Sequence, residues 1–229
     1  MQLSPPPIPQ PAPGPPGDPA RKPGESPPQA IQVWLIRHGQ VDQTYSNQAY
    51  GALDVPLSAL GEAQNQAIAE ALAGSEIERV VASPLSRARR MGESIAARCG
   101  VKLDVDARLG ELNRGDWQVL ACPDYQARWD AEAQLYWRDP ANWRGHGGET
   151  ESELGDRTWS AFTEATQGVS RLAIAAHRNV VRSIVARALG LPFGKSHALI
   201  LDPGHGALLV GDETGWTLAR FGSGPELGP

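Results

Sequence analysis

From residue 31 onward, short apolar segments alternate with longer segments whose apolar residues recur at helical spacing. Strands that alternate with helices are typical of α/β folds with a mostly parallel sheet. We therefore predict an α/β three-layer sandwich, with a mostly parallel central sheet flanked by helices and a small helical lid insertion. The predicted strands are 31–36, 80–82, 103–105, 172–176, 207–210 and 217–221, and the predicted helices are 59–73, 86–98, 151–167 and 180–189.

Capping residues mark where these helices begin and end. Ser58 precedes the first apolar turn and is a predicted N-cap, and Gly74 is a predicted stop. Gly100 is expected to end the second helix. Thr150 and Glu153 form the pattern of a capping box, in which each side chain bonds the backbone N–H of the other residue.

The segment 117–159 has a different composition, because it holds five of the seven tryptophans. We predict that about residues 117–168 form a helical insertion with its own aromatic packing, which acts as a lid over a site. The alternative is that the aromatic side chains only attach a small helical subdomain to the core.

The first 30 residues are a separate unit, because they contain 12 of the 20 prolines and almost no residues suited to a core. We predict a disordered proline-rich tail over 1–30 and one folded domain over 31–229. Residues 4–28 have the composition of a polyproline-II ligand for a proline-reading partner domain. The alternative is a dispensable solvated extension.

Charge and cysteine content exclude several classes of protein. The net charge is −5 and falls on residues 31 onward, and the chain has no basic run, so no nucleic-acid binding is expected. No apolar stretch reaches 18 residues, so no membrane association is expected. Two cysteines, 99 and 122, lie far apart and are predicted to be reduced. The N-terminal residues lack the basic region and the apolar core of a secretory signal peptide, so a cytoplasmic location is expected.

Polar side chains follow three of the predicted strands at the point where each strand ends. Arg37, His38 and Gly39 follow the first, Arg87 lies just after the second, and His177 follows the strand at 172–176. Open α/β sheets bind ligands at the carboxyl ends of their strands. Two arginines in one crevice repel unless an anion lies between them, and guanidinium groups match phosphate oxygens. A histidine beside that anion can attack phosphorus.

These residues resemble the motifs of the histidine phosphatase superfamily, which includes the cofactor-dependent phosphoglycerate mutases. The resemblance covers about residues 31–222, with the segments in the expected order. The matching segments are Arg37-His38-Gly39, Gly51 to Gln64 (G-x-x-D-x-P-L-S-x-x-G-x-x-Q), Ser83 to Ala88 (S-P-x-x-R-A), Glu111 to Trp117 (E-x-x-x-G-x-W), Gly147-Gly148-Glu149-Thr150, and His177.

The resemblance implies a role for each matching side chain. His38 is the nucleophile that becomes a phosphohistidine, while Arg37, Arg87 and a protonated His177 bind the phosphoryl oxygens. Glu111 protonates the leaving alkoxide and then takes a proton from water. The resemblance implies no cofactor, and no cluster with metal-ligand spacing is evident, so no metal is expected.

Several positions depart from the family pattern. Gln40 and Val41 replace the usual acidic residue and hydroxyl, and Thr44 stands where many members have asparagine, so Thr44 is a candidate phosphate ligand. Arg178 replaces a glycine after the second histidine, and Arg114 replaces an aromatic residue. Arg178 is predicted either to contact substrate or to pair with a nearby carboxylate.

The departures favour a phosphatase over a mutase. A mutase has further cationic side chains at the acid block, and its segment between the acid and the second histidine is longer. We therefore predict a phosphomonoesterase that acts on a small phosphorylated metabolite, similar to α-ribazole and broad-range phosphatases. The alternatives are phosphoglycerate mutase-type transfer, or a weakly active domain that binds partners through its proline-rich tail. The sequence names neither the substrate nor the oligomeric state.

Overall fold

The computed structural model describes residues 30–45 and 47–228. The predicted tail therefore lies outside the described residues except for Ala30, and both interpretations of residues 4–28 stay predictions. Cys99 is half-buried, Cys122 is exposed, and no disulfide joins them. In the part of the chain that the structure describes, no helix combines the length and apolar character needed to cross a lipid bilayer.

A six-stranded mixed sheet forms the centre of the fold, with the strand order β3-β2-β4-β1-β5-β6. The first four strands in that order are parallel to one another, whereas β5 pairs antiparallel with both β1 and β6. The sheet is thus largely parallel, as predicted. Its strands are β1 (Ile31–Arg37), β2 (Arg79–Ala82), β3 (Leu103–Val105), β4 (Arg171–Ala176), β5 (Gly206–Asp212) and β6 (Gly215–Ser223).

Helices cover both faces of the sheet. Alternate side chains of β1 point to opposite faces, so Val33 and Leu35 pack with one apolar cluster while Trp34 and Ile36 pack with the other. The first cluster includes residues of α4 and α5, and the second includes residues of α1 and α2. The predicted three-layer sandwich is confirmed. The helices are α1 (Ala59–Leu72), α2 (Ser86–Cys99), α3 (Cys122–Arg138), α4 (Glu151–Ala165) and α5 (Arg178–Ala188).

The predicted caps are present. Ser58 Oγ accepts a hydrogen bond from the Gly61 N–H at 3.0 Å and starts α1. Thr150 and Glu153 form the reciprocal capping box of α4, with bonds of 3.2 and 2.9 Å. Gly100 ends α2 in the left-handed conformation, with φ at 70°.

The segment between β3 and α4 contains α3 and a cluster of aromatic rings in edge-to-face contact. Trp117 contacts Tyr125, Trp143 and His146 at centroid distances of 5.5, 5.6 and 6.1 Å. Trp159 is an exception to the prediction, because it stacks on Phe162 in the core at 5.0 Å rather than joining the insertion. The exact limits of the insertion stay a prediction.

Because β1, β2 and β4 are parallel, their carboxyl ends lie at one edge of the sheet. The backbone at the end of β1 is held there by two other segments, the end of β4 and the turn at Gly204 and His205. The Arg37 N–H donates to the His205 carbonyl, the His38 N–H donates to the Ala176 carbonyl, and the His38 carbonyl accepts from the Gly204 N–H, over 2.9, 3.2 and 3.0 Å. This edge carries the candidate site.

Candidate active site

His38 is buried directly after β1, with 3% of its surface exposed. Its Nδ1 lies 2.7 Å from the Gly39 carbonyl, and its Nε2 lies 3.2 Å from Nε of Arg87. A carbonyl only accepts and a guanidinium only donates, so the contacts assign the proton to Nδ1 and a lone pair to Nε2. Burial, then Arg87 and Arg37, hold the pKa of His38 well below its usual value. The side chain is therefore a neutral imidazole with a nucleophilic Nε2.

The loop that carries His38 packs against the start of α1 through two glycines. A Cβ on Gly39 would lie 2.2 Å from the Gly61 carbonyl oxygen, which is closer than any side chain allows. The approach brings Asn65 within reach, and its Oδ1 accepts from the Gly39 N–H at 2.8 Å. Asn65 is buried in the middle of α1, and no sequence pattern singles it out.

Arg87 is fully buried in the first turn of α2. Besides its contact with His38, its two terminal nitrogens donate to the carbonyls of Leu53 and Gly51 at 2.6 and 2.8 Å. Its guanidinium also lies over the Tyr50 ring, 5.2 Å from the centroid. These contacts fix the plane of the guanidinium against Nε2 of His38.

Arg37 enters the same crevice from the end of β1. One terminal nitrogen donates to the Leu201 carbonyl at 2.5 Å, while its buried Nε has no hydrogen-bond partner among the described residues. Burial and then the charge of Arg178 lower the pKa of Arg37. A buried donor without a partner is costly unless a ligand accepts its hydrogen bond.

His177 caps the start of α5 and is completely buried. Its Nε2 lies 2.8 Å from Ser83 Oγ, and its Nδ1 has no partner among the described residues. Its ring centroid is 5.1 Å from that of His38. Burial, then His38 and Arg87, hold the pKa of His177 well below its usual value. These neighbours alone favour a neutral ring, so the expected protonated form requires an added anion and stays a prediction.

Glu111 is buried opposite these cations, with 8% of its surface exposed. One carboxylate oxygen accepts from the Leu112 N–H at 2.7 Å, and the other lies 3.4 Å from the Asn179 N–H. Arg157 donates to the Glu111 carbonyl at 3.3 Å and forms an ion pair with Glu149. Glu149 belongs to the glycine loop at residues 147–150, so this loop supports the backbone of Glu111 through Arg157.

A crevice of about 210 Å³ opens at this site. Its lining includes Arg37, His38, Tyr50, Glu111, Arg114 and Arg178. Thr44 is not among the lining residues; it is exposed and its hydroxyl donates to Asp42 at 2.8 Å. The structure therefore brings together the other predicted site residues and leaves Thr44 outside them.

A second chamber of about 250 Å³ adjoins the crevice. The two cavities share Arg114, Tyr125 and Arg178 in their linings. The second chamber also contains aromatic rings and a carboxylate, contributed by Trp129, Tyr136, Trp143, His146, Glu151 and His197. Among the described residues, no group of three or more His, Cys, Asp or Glu side chains is arranged to hold a metal ion.

The chain belongs to the histidine phosphatase superfamily, branch 1, whose family model matches residues 33–224. A glucosyl-3-phosphoglycerate phosphatase of Mycolicibacterium vanbaalenii is 35% identical over 167 residues, which are 69% of this chain and 74% of the relative. A probable phosphoglycerate mutase GpmB of Salmonella choleraesuis is 32% identical over 168 residues, covering 71% of this chain and 76% of the relative.

Solved structures agree with this family. The native structure of a mycobacterial glucosyl-3-phosphoglycerate phosphatase has a TM-score of 0.74 at 30% identity, covering 85% of this chain and 99% of that chain. The α-ribazole phosphatase of Shigella flexneri has the same fold, with a TM-score of 0.74 at 22% identity over 84% of this chain and 96% of that chain. The predicted family and enzyme class, a phosphoric monoester hydrolase of the histidine phosphatase type, are confirmed.

Proposed function

We propose that the chain hydrolyses the phosphate monoester of a small metabolite through a phosphohistidine on His38. The observation that carries this proposal is the pair of contacts that leaves a lone pair on Nε2 of a buried, neutral His38, beside the guanidinium of Arg87. A neutral imidazole next to phosphate-binding groups is the arrangement that nucleophilic attack on phosphorus needs.

In the first step, Nε2 of His38 attacks phosphorus. The N–P bond forms as the bond between phosphorus and the leaving oxygen breaks, and the protonated carboxyl of Glu111 transfers its proton to that oxygen. Arg37 and Arg87 bind the equatorial oxygens, and the Nδ1 of His177 donates to one of them. The buried Nε of Arg37 and Nδ1 of His177, which have no described partner, support this role.

In the second step, water attacks the phosphohistidine. The Glu111 carboxylate accepts a proton from that water while the P–O bond forms and the N–P bond breaks. The products are inorganic phosphate, neutral His38 and a protonated Glu111 ready for the next turnover. The binding of Glu111 to two backbone N–H groups keeps its carboxylate within the crevice during both steps.

The relatives suggest which compounds to test first. Two mycobacterial relatives are glucosyl-3-phosphoglycerate phosphatases, and we take glucosyl-3-phosphoglycerate as the leading candidate substrate. The names of other relatives support phosphoglycerate mutase activity as the second candidate. The cytoplasmic location and the binding role of residues 4–28 stay predictions.

Chemical trapping tests the proposal. The full chain is mixed with a 32P-labelled phosphomonoester and quenched in alkaline denaturant, since phosphohistidine is labile in acid. We expect label on His38, no label in His38→Ala, and normal labelling in the matched variant Arg89→Gln, which changes an exposed residue paired with Glu93. Full hydrolysis of p-nitrophenyl phosphate by His38→Ala would overturn the proposal.

A second assay separates hydrolysis from mutase activity. Conversion of 3-phosphoglycerate to 2-phosphoglycerate is measured with and without 2,3-bisphosphoglycerate. We expect release of inorganic phosphate to exceed isomerisation. Efficient isomerisation would assign the chain to the mutase candidate instead.

A further inference from the structure

Two arginines lie on the boundary between the phosphate crevice and the aromatic chamber. Arg114 and Arg178 line both cavities, together with Tyr125. Both residues are departures from the family pattern, because an aromatic residue and a glycine are usual at these positions. The two arginines are therefore better explained by what this chain binds than by the phosphoryl transfer that the family has in common.

Within the part of the chain that the structure describes, neither arginine has an acidic partner. Arg178 is exposed and makes no side-chain hydrogen bond or ion pair with a described residue. Arg114 donates to the neutral Tyr125 hydroxyl at 2.9 Å and lies over its ring, 5.6 Å from the centroid. The sequence left open whether Arg178 contacts substrate or pairs with a carboxylate, and the described residues include no ion pair for it.

The charge of Arg178 also acts on its cationic neighbours. Burial first, and the charge of Arg178 second, lower the pKa of Arg37 and that of Arg182, the latter to about 10. Arg182 is buried, and among the described residues its side chain bonds uncharged groups alone, namely Ser196 and Asn179. The boundary between the cavities therefore carries a surplus of positive charge.

The carboxylates that line the cavities are already engaged. Glu151 Oε1 accepts from the Tyr136 hydroxyl at 2.9 Å and lies 2.7 Å from Nε2 of His197. Glu111 is bound to backbone N–H groups in the crevice. A phosphoryl group on Arg37 and Arg87 would offset the charge of those two residues and leave Arg114 and Arg178 uncompensated.

We propose that Arg114 and Arg178 bind a second anionic group of the substrate, on the leaving-group side of the phosphate ester. The substrate class is then the phosphate monoester of an alcohol that carries a carboxylate or a second phosphate. The aromatic chamber next to the two arginines holds the rest of that alcohol, against the rings of Trp129 and Trp143. This inference rests on the proposed phosphatase function and specifies its substrate.

The test compares three substrates that differ in the second group. The values of kcat/KM are measured on the full chain for glycerol 3-phosphate, 3-phosphoglycerate and glycerol 1,3-bisphosphate, whose second groups at C1 are a hydroxyl, a carboxylate and a phosphate. We expect either anionic compound to exceed glycerol 3-phosphate by about tenfold or more, as charge-assisted hydrogen bonds give. The better of the two identifies carboxylate or phosphate as the second group. If turnover is too slow to measure, the same ratios are taken from competitive inhibition of p-nitrophenyl phosphate hydrolysis.

Variants then connect this selectivity to the two arginines. Arg178→Gln and Arg114→Gln are each expected to reduce about tenfold the ratio of kcat/KM for a substrate with an anionic second group to kcat/KM for glycerol 3-phosphate, with a smaller loss on p-nitrophenyl phosphate, which lacks that group. Arg178→Lys keeps the charge and is expected to retain part of the preference. The control Arg89→Gln removes an exposed arginine of α2 and is expected to change neither quantity.

The outcomes separate this inference from the proposed function. The second anion site would be overturned if substrates with a neutral and with an anionic second group had equal kcat/KM. It would also be overturned if Arg178→Gln and Arg114→Gln lost activity equally on every substrate. Neither outcome would contradict the phosphatase function. Hydrolysis that persists in His38→Ala would instead remove the proposed mechanism, whatever the preference among substrates.

Discussion

The Nε of Arg87 lies 3.2 Å from the Nε2 of His38, on the atom that attacks phosphorus in the proposed mechanism. The same guanidinium is held by the carbonyls of Gly51 and Leu53. Arg87 is therefore both a candidate phosphate ligand and a positioning residue for His38. Its charge also contributes to keeping the His38 imidazole neutral.

Replacing Arg87 tests this double role. Arg87→Lys keeps a positive charge but loses the planar fork that reaches both carbonyls and Nε2. We expect kcat for p-nitrophenyl phosphate to fall about 100-fold, the size found when a preorganised donor is lost. Arg90→Lys, an exposed change in the same helix, is the control and should leave kcat unchanged. Retention of normal kcat in Arg87→Lys would contradict the positioning role.

The histidine charges are open to direct measurement. The pKa values of His38 and His177 are both held well below the usual value, chiefly by burial. Neutral rings should therefore persist as the pH falls through about 6.5, the unperturbed value. We expect their NMR ring-proton signals, assigned with His38→Ala and His177→Ala, not to shift between pH 8 and 5.5. A titration midpoint near 6.5 in either ring would show that burial is outweighed.

Stability should depend on pH for the same reason. Burial, then Arg114 and Arg144, lower the pKa of His146 to about 4. Between pH 6.5 and 4 the unfolded chain then binds more protons than the folded one, so the free energy of unfolding decreases as the pH is lowered. The slope reaches about 1.4 kcal/mol per pH unit for each such histidine. Urea denaturation at pH 7, 6 and 5 measures it, and His146→Gln should flatten it. An unchanged slope would contradict a neutral His146.

The leaving group distinguishes an acid role of Glu111 from a structural one. An alkoxide needs a proton to leave, whereas p-nitrophenolate does not. We expect Glu111→Gln to lower kcat/KM for an alkyl phosphate by about 100-fold or more, and that for p-nitrophenyl phosphate far less. The ratio kcat/KM is the relevant measure because it reports the phosphoryl transfer to His38 and not the later hydrolysis. Equal losses on both substrates would point to misfolding of the loop.

The contact between the His38 loop and α1 predicts a stability effect with an unusual sign. Alanine normally favours a helix over glycine by about 1 kcal/mol. At Gly61 a Cβ would lie 1.9 Å from the Gln40 carbonyl oxygen, a backbone atom that cannot move aside. We expect Gly61→Ala to destabilise the fold by about 2 kcal/mol net. Gln66→Ala, exposed in the same helix, serves as the comparison in thermal denaturation, and a stabilised Gly61→Ala would refute the close contact.

Much of the fold follows from local patterns. The strand at 103–105 and the cap at Ser58 are where the sequence predicts them, because apolar alternation and capping are properties of a few adjacent residues. Helix ends differ by one or two residues, as at Ala165, where α4 stops before the predicted residue 167. The tryptophans near Trp159 in the sequence place it in the predicted insertion. In the structure it stacks on Phe162, on the face of α4 that points toward the core.

The site was predictable only in part, for a related reason. Motifs identify candidate residues for the chemistry, such as His38 and Arg87, since the residue types and their spacing match what the proposed reaction needs. They do not identify residues that hold the site backbone in place. Asn65 accepts a hydrogen bond from the Gly39 N–H, and Arg157 donates one to the Glu111 carbonyl. The charge of His177 depends on burial and on arginines that are distant from it in sequence, so no local sequence pattern determines that charge.

The backbone around His38 is bonded to α1, β4 and the turn at Gly204, three parts of the chain that are distant in sequence. The proposed nucleophile is thus built into the scaffold itself, whereas the aromatic chamber is contributed largely by the insertion around α3. In the proposed mechanism, reaction and recognition are in this way carried largely by different parts of the architecture. Under the proposed function, a change of substrate can therefore be engineered, or acquired by drift, through the insertion and Arg178, without altering the residues that form and break the bond to phosphorus.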